Sequence, residues 1–289
     1  MTHRVLKHGA RAFVALVLIA IAGIAVAACG GDDGDGGSGG ADDARALLEE
    51  TFSGTKEVRS GTMRLALRFS EKGGETFVVD LKGPFESQGE DAYPKFDVTL
   101  DARLGKEGSF RAGLVSTSDR VFLEFDGNAY ELPKEFLDEA REEESGRPTF
   151  EIPDLDAQSW VIDPEVVGQE EFGGVETDHI RGGVDVSALL DSVDRVLGEF
   201  PREELEAAAG GEVPDKIPAR DRAEIERAVK RASVDIWTGR DDKTLRKLEV
   251  TLDLEPEPGR RGTGSLVLEL TGLNEPQTMG VPVAVQSYD

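Results

Sequence analysis

Cys29 is the only cysteine in this chain of 289 residues, and its setting determines what its thiol can do. It closes an apolar run, Ala12 to Ala28, that opens behind the basic residues Arg4, Lys7 and Arg11, and the small residues Val26-Ala27-Ala28 precede it directly. A basic start, an apolar middle and a small-residue end are the marks of a secretory signal peptide. With cysteine at the cleavage point, the thiol is the nucleophile for diacylglycerol transfer, and cleavage leaves an acylated Cys29 as the new N-terminus. The run of 17 residues is at the lower edge of a membrane span, so a signal peptide over 1–28 is expected rather than a retained anchor helix. Gly30 to Gly40, almost wholly glycine and aspartate, follows at once. A flexible tether over 29–41 is the expectation, with a folded domain over 42–289.

No other residues combine into a reactive centre. His179 is the only histidine after the signal peptide, and it alternates with Thr177 and Arg181 on a strand-like stretch, the setting of a structural imidazole. Zinc needs thiolates or several imidazoles, and the acidic groups Glu142-Glu143-Glu144 and Asp32-Asp33-Gly34-Asp35 lack the glycine and glutamate spacing of a calcium loop. No catalytic set, metal or cofactor is expected. Trp160 and Trp237 are expected to pack.

The formal charge is −25, and loss of Arg4, Lys7 and Arg11 with the signal peptide takes it to −28. So acidic a chain repels nucleic acid. With a single cysteine there is no intrachain disulfide, and stability must come from an apolar core, for which about 250 residues suffice as one domain.

The elements around these residues follow from periodicity. Ala44, Leu47, Leu48, Thr51 and Phe52 keep helical spacing behind Asp42 and Asp43, which predicts a helix ending near Val58. The period then changes to two: Met63-Leu65-Leu67-Phe69, Phe77-Val79-Leu81, Phe96-Val98-Leu100, Phe110-Ala112-Leu114 and Val121-Leu123-Phe125 each read as a half-buried strand of an antiparallel meander. Helical patterns are expected over Pro133–Glu144, Val186–Leu197, Pro201–Ala209 and Ala219–Ala232. Strands resume at Val234-Ile236, Leu248 to Leu254, Leu266 to Leu270 and Val281 to Val285. The fold class is α+β: a curved antiparallel half-barrel sheet of about nine to eleven strands with helices covering its concave face. A few helices over so wide a sheet can leave a hollow, but a filled core asks for the same Leu, Val and Phe residues, so both arrangements stay open.

In their order along the chain, several stretches resemble the LppX/LprG-type lipoproteins of actinobacteria, within the LolA/LolB-like lipoprotein carrier superfamily. They are the opening helix into Val58-Arg59-Ser60-Gly61, the stretch Gly174 to Asp185, the strand Val234-Asp235-Ile236-Trp237 leading to Leu245 to Val250, and Asn274-Glu275-Pro276 with Val281-Pro282. The stretch Gly198 to Pro218, broken by glycine and proline, departs from that pattern. The resemblance implies a half-barrel closed by helices around a cavity for acyl chains, such as palmitate, and a role in carrying lipids or lipidated molecules across the envelope. Met63, Leu65, Leu67, Phe69, Val121, Leu123 and Phe125, on the first and middle strands, are the candidates to line it. The expected function is that of a non-catalytic, monomeric lipid-binding lipoprotein, anchored through Cys29 on the extracytoplasmic face of the cell membrane. The alternative is a sensory or scaffold lipoprotein with a filled core that binds another protein.

Overall fold

The structure, a computed structural model, describes residues 41–53, 56, 58–88, 94–117, 119–125, 127–133, 157–199, 216–282 and 285–287. Cys29, the signal peptide, the tether and the patterns over Pro133–Glu144 and Pro201–Ala209 lie outside the described residues, apart from Ala41 and Pro133.

Among the described residues, twelve strands form one sheet. In chain order they are β1 Ser60–Glu71, β2 Thr76–Glu86, β3 Lys95–Leu104, β4 Ser109–Ser116, β5 Val121–Phe125, β6 Asn128–Glu131, β7 Val161–Phe172, β8 Val175–Val184, β9 Val229–Gly239, β10 Leu245–Glu257, β11 Arg260–Thr271 and β12 Val285–Ser287. The helices are α1 Ala41–Phe52, α2 Ala157–Trp160, α3 Val186–Glu199 and α4 Ala219–Ala228. The spatial order is β12-β6-β5-β4-β3-β2-β1-β11-β10-β9-β8-β7, so the N-terminal meander and the C-terminal meander join where β1 pairs with β11. All pairings are antiparallel except β12 with β6, and the end strands β12 and β7 are not paired to each other. An open antiparallel half-barrel with helices on one face is the class the alternation predicted.

Register explains why one face is apolar from edge to edge. Leu65 lies opposite Leu81 and Leu268, Leu81 opposite Leu100, Leu268 opposite Leu248, Leu248 opposite Ile236, and Ile236 opposite Ile180. Because side chains alternate with period two, each such row lies on a single side. At the β7–β10 end this side is covered. Ala44 and Leu48 of α1, with Ala157 and Trp160 of α2, form one core cluster with Ile180, Ile236, Leu245 and Leu248. The hydroxyl of Thr51 donates to the Leu47 carbonyl at 2.6 Å and accepts from the Thr238 hydroxyl at 2.9 Å, which ties the end of α1 to β9. Asp185 caps α3, its carboxylate accepting the Ala188 N–H at 3.1 Å.

Several boundaries differ from expectation. The first helix ends at Phe52 rather than near Val58, because Ser53-Gly54 is a poor helix continuation and the chain must extend into β1. The helix from Ala219 ends at Ala228, not Ala232: α4 buries no residue, and Val229 to Ala232 gain ladder bonds against β10 instead. Val281 is 57% exposed and outside any strand, and the last strand is only Val285–Ser287. Strands β6 and β7 were not expected. In β7 the alternation is broken by two register shifts, at Ile162/Glu165 and Val166/Gly168, and nearly every residue is exposed because the strand is an edge. The β7–β8 hairpin turns on Gly173 and Gly174, whose φ values of 60° and 82° are those of a two-residue turn that only glycine adopts without strain.

The described core begins with α1 at Ala41. A chain starting there is expected to fold as a soluble monomer with a strand-rich circular dichroism spectrum; an unfolded spectrum would move the domain boundary upstream.

Candidate functional site

The seven candidate residues lie on the same face of the sheet, since Met63, Leu65, Leu67 and Phe69 are in register with β2 and β3, and Val121, Leu123 and Phe125 with Ser116, Leu114 and Ala112 of β4. Their environments fall into two groups. Met63 and Leu65 are 3% and 6% exposed in a cluster with Leu81, Phe85 and Leu270, and Leu67 is buried against Val79 and Ala102. Val121 is buried as well, whereas Phe69 and Leu123 are half-buried and Phe125 is 41% exposed. Residues not singled out from the sequence complete the exposed group: Val98 and Leu100 are half-buried, Leu114 is 38% exposed and Phe110 is 42% exposed. Their alternation was visible in the sequence. What decides between core and open surface is what packs over each position: α1, α2 and α3 gather at the β7–β10 end, and Phe85 and Leu270 pack with Met63 and Leu65 in the middle.

The face therefore grades from a packed middle and a helix-covered end to a half-open apolar end over β3, β4 and β5. Such a surface offers dispersion contacts and water exclusion to an apolar chain, and it presents no nucleophile. A separate recess of about 480 Å³ lies elsewhere, where Ala41 meets Asp163, Pro164, Glu165 and Val166 of β7. Its lining is a strand bulge with two carboxylates, so it offers little to an acyl chain.

The opposite face is polar and internally paired over β1, β2 and β11, and holds the buried Val115 and Phe122 over β4 and β5. Arg64 of β1 donates to Asp80 at 2.7 Å and reaches Glu269 at 3.2 Å; the Asp80 carboxylate, more than Glu269, holds the guanidinium pKa above its ordinary value. The chain after β11 crosses this face. Thr62 donates to Gln277 at 3.2 Å, and the Gly280 N–H donates to Asp97 at 2.9 Å before the chain reaches β12 beside β6. At the far end His179 stacks on Trp237 with ring centroids 4.4 Å apart, and Lys247 sits 4.3 Å above the same indole. The imidazole Nε2 faces Asp235 at 2.7 Å and Nδ1 faces Glu170 at 3.0 Å. With a carboxylate on each ring nitrogen, His179 has no free nitrogen to activate a nucleophile; it joins β7, β8 and β9. Of the two tryptophans, Trp160 is in the core and Trp237 is on the polar face. Among the described residues no group of three or more His, Cys, Asp and Glu side chains could hold a metal ion, and no helix is long and apolar enough to cross a membrane.

No protein-family model matches the chain, and no curated protein does. Solved structures do. The crystal structure of LprF from Mycobacterium bovis is similar at 12% identity and a TM-score of 0.43, covering 85% of this chain and 99% of that one. The Mycobacterium tuberculosis lipoprotein LppX is similar at 14% identity and a TM-score of 0.36, covering 83% and 99%. A LolA superfamily protein from Nitrosomonas europaea is similar at 8% identity and a TM-score of 0.20, covering 81% and 94%. These structures include an LppX lipoprotein and a LolA superfamily protein, the two kinds that the sequence resemblance named.

Proposed function

We propose that this protein is a lipid-binding lipoprotein of the cell envelope, anchored through an acylated Cys29, that shelters acyl chains on the half-open apolar end of its sheet. One observation carries the reading. A single face stays apolar through the register from Ile180 to Leu123, yet helices and neighbouring side chains bury it only in part, leaving Leu100, Leu114 and Leu123 with accessible surface at the β3–β5 end. An apolar surface of this kind gains free energy by covering itself, at roughly 25 cal/mol per Å² removed from water, and an acyl chain is the simplest flexible cover. The carboxylate-clamped His179 agrees with a role without catalysis.

The packed and open parts of the face respond oppositely to an added ring. Leu123→Trp is expected to lower uptake of a fluorescent fatty acid while leaving the melting temperature nearly unchanged, because the ring enters space that is open. Leu65→Trp overfills a packed site and is expected to cost about 1 to 3 kcal/mol. The checks are fluorescence titration and thermal melts of both variants. Lack of probe uptake by the unaltered protein would overturn the lipid reading and favour a scaffold that binds another protein.

A further inference from the structure

The sheet is open at β7, whose outer edge pairs with no strand among the described residues. From Gly168 to Phe172 the strand is regular. Phe172 and Val175 flank a two-residue turn, so Phe172, Glu170 and Gly168 direct their backbone groups to β8, while those of Gln169 and Glu171 point away from it into solvent. Three large aliphatic side chains stand out on the same strand: Ile162 and Val166 are each 44% exposed and Val167 is 45% exposed. The strand is also acidic, carrying Asp163, Glu165, Glu170 and Glu171 and no lysine or arginine. Glu170 is held by His179 and Trp237. Asp163, Glu165 and Glu171 are exposed and make no ion pair among the described residues. Arg181, opposite Glu165 in the ladder, is bound to Asp235 instead. Where the ladder slips at Ile162/Glu165, the recess of about 480 Å³ opens beside the edge, lined by Ala41, Asp163, Pro164, Glu165 and Val166.

We propose that the β7 edge docks an extended, basic segment of another protein, which adds to the sheet as a further strand and seats a lysine or arginine side chain in that recess. Unpaired main-chain groups at Gln169 and Glu171 supply the ladder bonds, the usual source of affinity when a strand is added to a sheet edge. The recess fits a long basic side chain at both of its ends: Ala41, Pro164 and Val166 offer an apolar wall to the stem, and the carboxylates of Asp163 and Glu165 meet the cationic tip. The stretch from Glu165 to Glu171 runs about 20 Å at about 3.3 Å per residue, the reach of a short peptide. Charge selects the occupant. Pairing β7 with β7 of a second copy brings four carboxylates against four, in a chain whose formal charge is −25. A segment that alternates aliphatic and basic residues meets the opposite situation, covering Val166 and Val167 while neutralising the carboxylates. The bulge at Val167 and the turn at Gly173 confine regular pairing to Gly168–Phe172, which makes the contact short and exchangeable. The acyl face is at the other end of the sheet, over β3 to β5, so this proposal stands independently of the lipid-binding reading.

The test uses the full mature protein, acylated at Cys29, in micelles of a neutral detergent. The probe is a fluorescein-labelled octapeptide of alternating valine and arginine, followed by fluorescence anisotropy. Two further peptides serve as controls: one has glutamate in place of arginine, and the other has methylated backbone nitrogens, which keeps the charge and removes the amides a ladder needs. The valine–arginine peptide is expected to bind at least about tenfold more tightly than either control. In the complex, hydrogen exchange of the Gln169 and Glu171 amides is expected to slow by about tenfold or more. Gln169→Pro removes an N–H that faces solvent, so it leaves the β7–β8 ladder in place and is expected to weaken the peptide by about tenfold. Glu165→Lys combined with Glu171→Lys is expected to do the same through charge, and circular dichroism of both variants separates lost binding from lost fold. Equal binding of the methylated peptide, or unchanged affinity in Gln169→Pro, would reduce the contact to charge alone and overturn the added strand. Failure of the valine–arginine peptide to bind would overturn it as well. A dimer in sedimentation equilibrium that Gln169→Pro abolishes would assign the edge to a second copy and also overturn the proposal.

Discussion

Replacing Cys29 with serine is expected to leave the protein as an unprocessed, unlipidated precursor. The effect is all-or-none because the chemistry has no substitute: diacylglycerol transfer needs a thiolate, an alkoxide is not available at neutral pH, and no second cysteine exists in the chain. The precursor keeps the apolar run Ala12 to Ala28, so it should remain with the membrane at a mass that includes residues 1–28. Detergent partitioning and mass spectrometry of the intact chain separate the outcomes. A mature, diacylated protein from Cys29→Ser would show that the cleavage signal has been misread.

Trp160→Ala is expected to cost about 3 to 5 kcal/mol, the usual range for emptying the site of a large buried aromatic. Trp160 is 1% exposed and belongs to the cluster that joins α1 and α2 to Ile180, Ile236 and Leu248, so its loss opens a cavity that α1 and three strands would have to move to fill. For a domain of this size each kcal/mol moves the melting temperature by roughly 2 to 4 °C, which predicts a fall of about 6 to 20 °C. Trp237→Ala supplies the contrast. Its indole is on the polar face between His179 and Lys247, and removing it forfeits one ring stack, one cation–π contact and the indole N–H bond to Glu170, together about 1 to 3 kcal/mol and without a core cavity. Thermal melts of the two variants, followed by circular dichroism, give the comparison. Equal losses would contradict the placement of Trp160 in the core and Trp237 outside it.

The two tryptophans also mark how far residue patterns reach. Both sit among apolar and polar neighbours in sequence, and packing was the expectation for each; that Trp160 seals the helices onto the sheet while Trp237 stacks on a histidine depends on which strands are neighbours. The strands with unbroken alternation, β1 to β5 and β9 to β11, were legible because a half-buried antiparallel strand writes its burial into every second residue. Strand β7 was not, since its bulges at Asp163-Pro164 and Val167 shift the alternation and an edge strand buries too little to leave a pattern. The end of α4 was misjudged for a related reason: propensity over Ala228 to Ala232 favours helix weakly, and ladder bonds to β10 outweigh it.

Local residue order alone determined the single cysteine behind its apolar run, the acidic charge and the apolar row on each regular strand. These are properties of single residues or of neighbours a few positions apart, and no folding is needed to read them. The tertiary structure decided which rows share one face, because register is set by pairing between residues far apart, as when Leu65 meets Leu268. It also decided which part of that face is core and which is open. Met63 and Leu123 belong to equally apolar alternations, yet Met63 has neighbouring strands and side chains closing over it while Leu123 lies near the end of the sheet away from α1, α2 and α3. Burial is a property of what packs above a residue, and that partner comes from a distant part of the chain.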